Sequence, residues 1–317
     1  MEVKNSKIVI IGAGLVGSAT AFSILTQGIC DEVVIIDIQE QKAKAEALDL
    51  QNCMEYLNRN AKVRAGSYKD CSDADIVVMT ASSPHVKGQS RLDMLDSSIK
   101  IVKSVVQSVM ESEFSGIFLN VTNPVDIISC AIYRLSGLPK NQVIGTGTAL
   151  DSARLKNIIG DLLSVDPRSV HAIAMGEHGD SQMVPWSSIY IGGKSLTNII
   201  RDNQDRIKYH DLAQIQDQTR KLGWVIAESK GTTNYGIATT SAGIIKAVLY
   251  NENKIIPVST LLEGEYGQSG IFAGVPAVLN RSGVKEIVEM ELTQEERENL
   301  NRSFSVIQEF TDKIKKI

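Results

Sequence analysis

His178 sits in the pentapeptide Gly176-Glu177-His178-Gly179-Asp180, where flanking glycines leave an imidazole open to a small ligand. Imidazole titrates near neutral pH, so a carboxylate behind the ring fixes its tautomer and stabilises the imidazolium that forms during proton transfer. Upstream, Asp151-Ser152-Ala153-Arg154 offers both that carboxylate and a guanidinium. A guanidinium grips a substrate carboxylate through two parallel hydrogen bonds, which an ammonium cannot copy. The set points to acid/base chemistry on an anionic substrate. Residue types alone leave a second account equally open: a structural histidine in a turn, Asp151 capping the helix behind it, and Arg154 paired at a surface.

Such side chains need a frame, and the first part of the chain supplies one. The β-branched run Ile8-Val9-Ile10-Ile11 leads into Gly12-Ala13-Gly14-Leu15-Val16-Gly17, and helical spacing then runs from Val16 to Gln27. In strand–turn–helix order, Gly12 makes the tight turn, Gly14 lets backbone approach a pyrophosphate, and Gly17 allows close helix–strand packing. A second apolar strand, Val33-Val34-Ile35-Ile36, closes with Asp37, twenty residues after Gly17. An acid there accepts the ribose hydroxyls and repels a 2'-phosphate, so the expected dinucleotide is NAD rather than NADP.

The alternation continues with a helix over Gln41–Asn52, strands near Lys62–Gly66 and Ile76–Thr80, a helix over Met94–Glu113 and a strand at Ile117–Val121. It predicts an α/β fold with a doubly wound, parallel Rossmann sheet. Thr122-Asn123-Pro124-Val125-Asp126 follows the last of these strands, at the carboxyl end where such sheets collect ligands. Asn123 is placed there to bridge cofactor and substrate, or to cap a helix. Ser82 to Asp93 is polar and irregular and reads as a lid, with Arg91 at its far end able to polarise a carbonyl on closure.

The halves meet near Thr146-Gly147-Thr148, dividing the chain into residues 1–146, a dinucleotide-binding domain, and 147–317, a mixed α+β substrate domain. In the second half the pattern predicts helices over Leu150–Leu163, Asp211–Ser229 and Gly236–Tyr250, and strands around Val170–Met175, Ile255–Leu262 and Ile271–Leu279. A capping box at Thr293-Gln294-Glu295-Glu296 opens a charged terminal helix. The 317 residues are 43% apolar, enough for two cores. With 33 basic and 37 acidic residues and no like-charge block, nothing recommends nucleic acid or membrane as a partner. Cys30, Cys53, Cys71 and Cys130 show neither zinc spacing nor a disulfide framework. No signal-peptide core or bilayer-length apolar run is found, so a cytoplasmic location is expected.

Taken in order, Gly12-Ala13-Gly14 with Asp37, Thr122 to Asp126, Leu150-Asp151-Ser152-Ala153-Arg154 and Gly176 to Asp180 resemble the L-lactate and malate dehydrogenases over essentially the whole chain, closest to the bacterial L-lactate branch. The resemblance implies roles. His178 is the proton donor and acceptor, Asp151 its orienting carboxylate, Arg154 the substrate clamp and Arg91 the lid arginine; Asn123 and Thr233 touch substrate. Val16, Lys42, Tyr68, Ser104 and Thr146 fall where the family contacts NAD. The implied reaction moves a hydride from C2 of an L-2-hydroxy acid to the nicotinamide while His178 takes the hydroxyl proton, L-lactate and pyruvate being the expected pair. A homotetramer is the assembly that the resemblance implies.

Two departures from the family pattern bear on specificity and regulation. His85 stands in the lid where lactate enzymes carry Gln and malate enzymes Arg, with Lys87 nearby. Lys230 to Gly236 and Ser181 to Val184 are similar to branched-chain 2-hydroxyisocaproate dehydrogenases, so bulkier 2-oxo acids and malate stay open as substrates. Lys156 and His171 replace the Arg and His that hold a phosphate in relatives activated by fructose 1,6-bisphosphate, which leaves an effector site open. A reading from another class is a binding module that senses NAD(H) without catalysis; the complete His178, Asp151, Arg154 and Arg91 set argues against it.

Overall fold

The computed structural model describes residues 5–82, 91–209 and 211–314. The predicted alternation appears as β1 (Lys7–Ile11), α1 (Leu15–Thr26), β2 (Glu32–Ile36), α2 (Glu40–Asn52), β3 (Lys62–Ala65), β4 (Ile76–Met79), α3 (Arg91–Met110), β5 (Ile117–Asn120), α4 (Val125–Ser136) and β6 (Val143–Gly145). These six strands are parallel in the order β3-β2-β1-β4-β5-β6. The order reverses between β1 and β4, and that switch point opens a crevice at the carboxyl ends of the strands.

Both faces of this sheet are covered, so its strands read as unbroken apolar runs instead of alternating ones. Ile8 and Ile10 of β1 point into a core shared with α1 and α2, while Val9 and Ile11 point into another shared with α3 and α4. Gly137, with φ +67°, ends α4 in the left-handed conformation that glycine adopts without strain.

The second half adds α5 (Ala149–Leu163), β7 (Val170–His171), β8 (Tyr190–Ile191), β9 (Lys194–Ser195), α6 (Leu196–Asp202), α7 (Asp211–Lys230), α8 (Tyr235–Leu249), β10 (Lys254–Glu263), β11 (Ser269–Asn280), β12 (Gly283–Ile287) and α9 (Gln294–Lys313). β10, β11 and β12 join antiparallel beyond β6, through Ser259 opposite Gly145, giving one sheet of nine strands. α8 packs on α1 and α9 lies against β11, so both cores contain residues from each half. A third core gathers α5, α6 and the start of α7. The capping box forms as predicted: Glu296 N–H donates to Thr293 Oγ1, and Thr293 N–H donates to the Glu296 carboxylate.

Two expectations need correction. The run from Val170 to Met175 is not one strand: residues 170–171 pair with β8, whereas Met175 pairs with Met183 and Gly176 with Gly274. The chain changes partners along this run, which breaks the ladder. α3 also begins at Arg91, so the end of the expected irregular segment is helical. His85, Lys87 and the Arg91 side chain lie outside the described residues, as does His210.

Candidate active site

A cleft of about 540 Å³ opens at the switch point, lined from the first half by Val16, Thr80, Asn123 and Thr146 and from the second by Asp151, Arg154, His178 and Thr233. The turn that carries His178 is fixed by its ends. Gly176 and Gly274 exchange two backbone hydrogen bonds of 2.9 Å, and Glu177 N–H donates to Ser303 Oγ of α9 at 2.8 Å. Gly176 has φ +90°, and a Cβ there would lie 2.3 Å from Ser303 Oγ, so no other residue fits this corner.

His178 Nδ1 lies 2.6 Å from Asp151 Oδ2. The other oxygen of Asp151 accepts from Arg154 Nη1 at 2.9 Å, one turn along α5. Asp151 is 1% exposed and the His178 side chain 27%, so the carboxylate is enclosed while the ring reaches the cleft. The negative charge of Asp151 outweighs the effect of burial on the imidazole and pushes its pKa up to about 9. Burial acts to raise the Asp151 value, but the His178 charge and hydrogen bond, with those of Arg154, hold it below the usual carboxylate range. At neutral pH the pair is therefore imidazolium and carboxylate, with Nε2 left to exchange a proton in the cleft. Arg154 is more engaged than its type suggested: one nitrogen pairs with Asp151, and the guanidinium edge packs against the wall of α7 at Gly223.

Beneath the turn lies Asp126, which the motif contained but to which the sequence assigned no part. It is buried, accepts from His178 N–H at 2.9 Å and from Ser259 Oγ at 2.6 Å. Burial pushes its pKa up to about 6. Thr80, Arg220, Gly223 and Trp224 also line the cleft and were not singled out; their signal is where β4 and α7 run in space. Asn120 was missed too, although its amide ties Thr122, Val125 and Ser129 together and so shapes the loop that presents Asn123.

The glycine turn fits a dinucleotide. Gly12 has φ +110°, and a Cβ there would meet Thr80 Oγ1 at 2.7 Å; a Cβ on Gly17 would meet the Gly12 carbonyl oxygen at 1.9 Å. A Cβ on Gly14 would meet nothing within 4 Å, and among the described residues no side chain caps α1, so its first N–H groups face a space suited to a pyrophosphate. Asp37 ends β2 beside them, its carboxylate accepting from Ala13 N–H at 2.7 Å and Gln39 N–H at 2.9 Å. The phenol of Tyr68, half-buried and with its pKa raised first by burial, also feels the charge of Asp37. Lys42 is exposed at the start of α2, while Ser104 is exposed on α3 and does not line the cleft. Lys156 and His171 lie away from the cleft, on α5 and β7. A smaller cavity of about 260 Å³, lined by Asp73, Asp75, Gln142 and Arg281, holds none of the predicted site residues. Among the described residues no cluster suits a metal ion, and no helix is long and apolar enough to cross a membrane.

A dinucleotide turn facing a carboxylate-held histidine across one cleft defines an NAD-dependent oxidoreductase acting on a CH–OH group. Comparison with known proteins agrees. Residues 6–145 match the lactate/malate dehydrogenase NAD-binding domain, and residues 148–317 the α/β C-terminal domain of the same family. The chain belongs to the lactate/malate dehydrogenase family. L-lactate dehydrogenase 3 of Bacillus thuringiensis subsp. konkukian is 49% identical over 310 residues, 98% of each chain. L-lactate dehydrogenase 1 of Bifidobacterium longum is 46% identical, again over 98% of both. Among solved structures, the ligands-bound minor L-lactate dehydrogenase of Enterococcus mundtii matches with a TM-score of 0.96 at 39% identity, over 98% of this chain and 99% of that one.

Proposed function

We propose that this enzyme interconverts L-lactate and pyruvate, with His178 as proton donor and acceptor, Asp151 as its orienting carboxylate and Arg154 as the substrate-carboxylate clamp. One observation carries the reading: the 2.6 Å contact between His178 Nδ1 and Asp151 in the wall of the cleft. In the reduction direction the imidazolium gives its Nε2 proton to the carbonyl oxygen as C2 is reduced; in oxidation the neutral ring takes the hydroxyl proton. Gly12, Gly14, Gly17 and Asp37 would hold NAD(H), with Val16, Lys42, Tyr68, Ser104, Asn123 and Thr146 as further contacts, and the dinucleotide would supply the hydride donor in reduction and the hydride acceptor in oxidation. By the family resemblance Arg91 is the lid arginine and His85 stands at the substrate-discriminating position, with His85 and the Arg91 side chain outside the described residues, while Asn123 and Thr233 contact the substrate from the lining of the cleft. The raised His178 pKa keeps the ring in its proton-donating form at neutral pH.

Replacing His178 with Asn tests this directly. Turnover is expected to fall by about 10²- to 10⁴-fold while NADH binding persists. Undiminished turnover would remove His178 from the proton step; intact NADH binding without any 2-oxo acid reduction in the wild type would favour the sensing module.

Bulkier substrates are the second reading, resting on the likeness of residues 230–236 and 181–184 to branched-chain 2-hydroxyisocaproate dehydrogenases. Relative kcat/KM for pyruvate, 2-oxoisocaproate and oxaloacetate ranks them, and a tenfold lead for oxaloacetate, about 1.4 kcal/mol, would reassign the enzyme to malate. A homotetramer in the cytoplasm, divided near residue 146, is the form in which we expect it to act. Lys156, whose pKa burial and then the charge of Lys254 lower, joins His171 as the expected contact for an effector phosphate. Running the panel with and without fructose 1,6-bisphosphate tests that site.

A further inference from the structure

Asp126 has no part in the chemistry proposed above, yet it lies directly beneath it. It occupies the first turn of α4, is 3% exposed, and its two oxygens are held by donors from two distant segments: His178 N–H of the 176–180 turn and Ser259 Oγ of β10. A buried carboxylate is expensive, and a neutral residue of the same shape in such a place commonly makes the fold no less stable. The sheet needs no ion here, since Gly145 and Ser259 already join β6 to β10. What the carboxylate does reach is the residue that carries the imidazole.

We propose that Asp126 is a positioning residue for His178, a second buried negative charge that pins the main chain of the imidazole-bearing turn to the head of α4 and supports the imidazolium from below. This rests on His178 being the acid/base group. The groups facing the pair are few. Asp151 holds the ring from α5 with Arg154 behind it, Glu177 adds a like charge from the turn itself, and Ser259 faces Asp126 from β10. Asp126 adds to the attraction that raises the His178 pKa, behind the larger contribution of Asp151. His178 in turn lowers the cost of keeping Asp126 ionised, through its N–H and its charge. Protonation of Asp126 weakens the hold on the imidazolium, and loss of the His178 proton weakens the hold on the carboxylate.

Asp126→Asn separates charge from shape, because the amide oxygen can accept from His178 N–H while the amide nitrogen donates to Ser259 Oγ. The measurement is the pH profile of kcat/KM for pyruvate reduction, with NADH affinity and melting temperature alongside. The alkaline limb is expected to move down by about one pH unit and kcat to fall roughly tenfold. NADH affinity should stay the same and the melting temperature equal or rise. A limb and kcat within about 0.2 unit and twofold of wild type would overturn the proposal, as would a lower melting temperature with an unmoved limb, which marks a merely structural residue. Should Asp126→Asn not fold, Ser259→Ala decides: losing one donor raises the pKa of the carboxylate further above its ordinary range, so the acid side of the kcat profile, where Asp126 takes up its proton, must move up, and an unmoved acid side rejects the idea. Full turnover in His178→Asn would instead sink the parent assignment, a separate result.

Discussion

The two walls of the cleft are built from different materials. On the cofactor side, the turn from Gly12 to Gly17 owes its fit to side chains that are missing: Cβ atoms on Gly12 or Gly17 would overlap neighbouring atoms. On the acid/base side, His178, Asp151, Arg154 and Asp126 form a chain of charges drawn from α4, α5 and the 176–180 turn, and its fit comes from charges that balance one another. Steric fit fails by strain, whereas charge balance fails by a change of protonation. Substitutions on the two sides should therefore leave different marks.

The largest mark is expected on the cofactor side. Gly17→Ala places a methyl 1.9 Å from the Gly12 carbonyl oxygen, so the turn must open. NADH binding should be lost and the protein destabilised by about 3 kcal/mol or more, seen as a lower melting temperature. Gly14→Ala is the control within the same turn. Its Cβ would meet nothing within 4 Å and its φ of −82° suits any residue, so the fold should persist while a pyrophosphate can no longer approach as closely. If both variants bind NADH like wild type, the turn is not the phosphate site.

Asp151→Asn should leave a different mark, a kcat lower by about 10²-fold and a melting temperature that falls most at low pH, where the raised His178 pKa stabilises the fold, and least above about pH 9. The amide carries no charge to support the imidazolium, and a flipped amide would donate to Nδ1 and select the wrong tautomer. Reduction needs the protonated ring, so above about 6, where Asp126 is ionised, wild-type kcat/KM stays level up to about 9 and falls beyond it, while oxidation rises through the same point. Without its largest cause the shift collapses, and the limb should move down by roughly two pH units. The stability sign follows: the His178 pKa is raised from 6.5 to about 9, so its contribution is complete below 6.5 and is lost as pH rises through 9. That slope should vanish in the variant.

The same contrast explains what the sequence revealed. Strand, turn, helix and acid occupy the unbroken stretch from Lys7 to Asp37, so apolar runs and glycine spacing were enough to place every part. The doubly wound, parallel character of the sheet was equally legible, because each strand–helix–strand crossover is local; the strand order came only from the structure. The charge chain was legible only in part. His178, Asp151 and Arg154 stand out by type, but Asp126 looks like any acid in the first turn of a helix, where it complements the dipole. Only the return of residues 176–180 and of β10 over α4 buries it. The run from Val170 to Met175 misled for a related reason, since two different partners take up its backbone, β8 at one end and Met183 at the other, and no periodic pattern records that. β12 was likewise invisible, being a short edge strand whose pairing with β11 is set by the hairpin before it.

The smallest effect tests where the two walls become alike, because Asp37 is a charge on the cofactor side. Its carboxylate already accepts from Ala13 N–H and Gln39 N–H, and a carboxylate has about four lone-pair sites, so acceptor capacity remains for ribose hydroxyls. Asp37→Asn keeps one acceptor for Ala13 N–H but loses the charge and the bond to Gln39. The dissociation constant for NADH should rise about tenfold, roughly 1.4 kcal/mol, with kcat at saturation unchanged. NADPH should lose less, because the carboxylate that repels its 2'-phosphate has gone; the ratio of the two affinities, measured by fluorescence titration, is the deciding quantity. If the ratio holds while both affinities fall, Asp37 serves only to brace the glycine turn, and discrimination between the dinucleotides must come from steric fit alone.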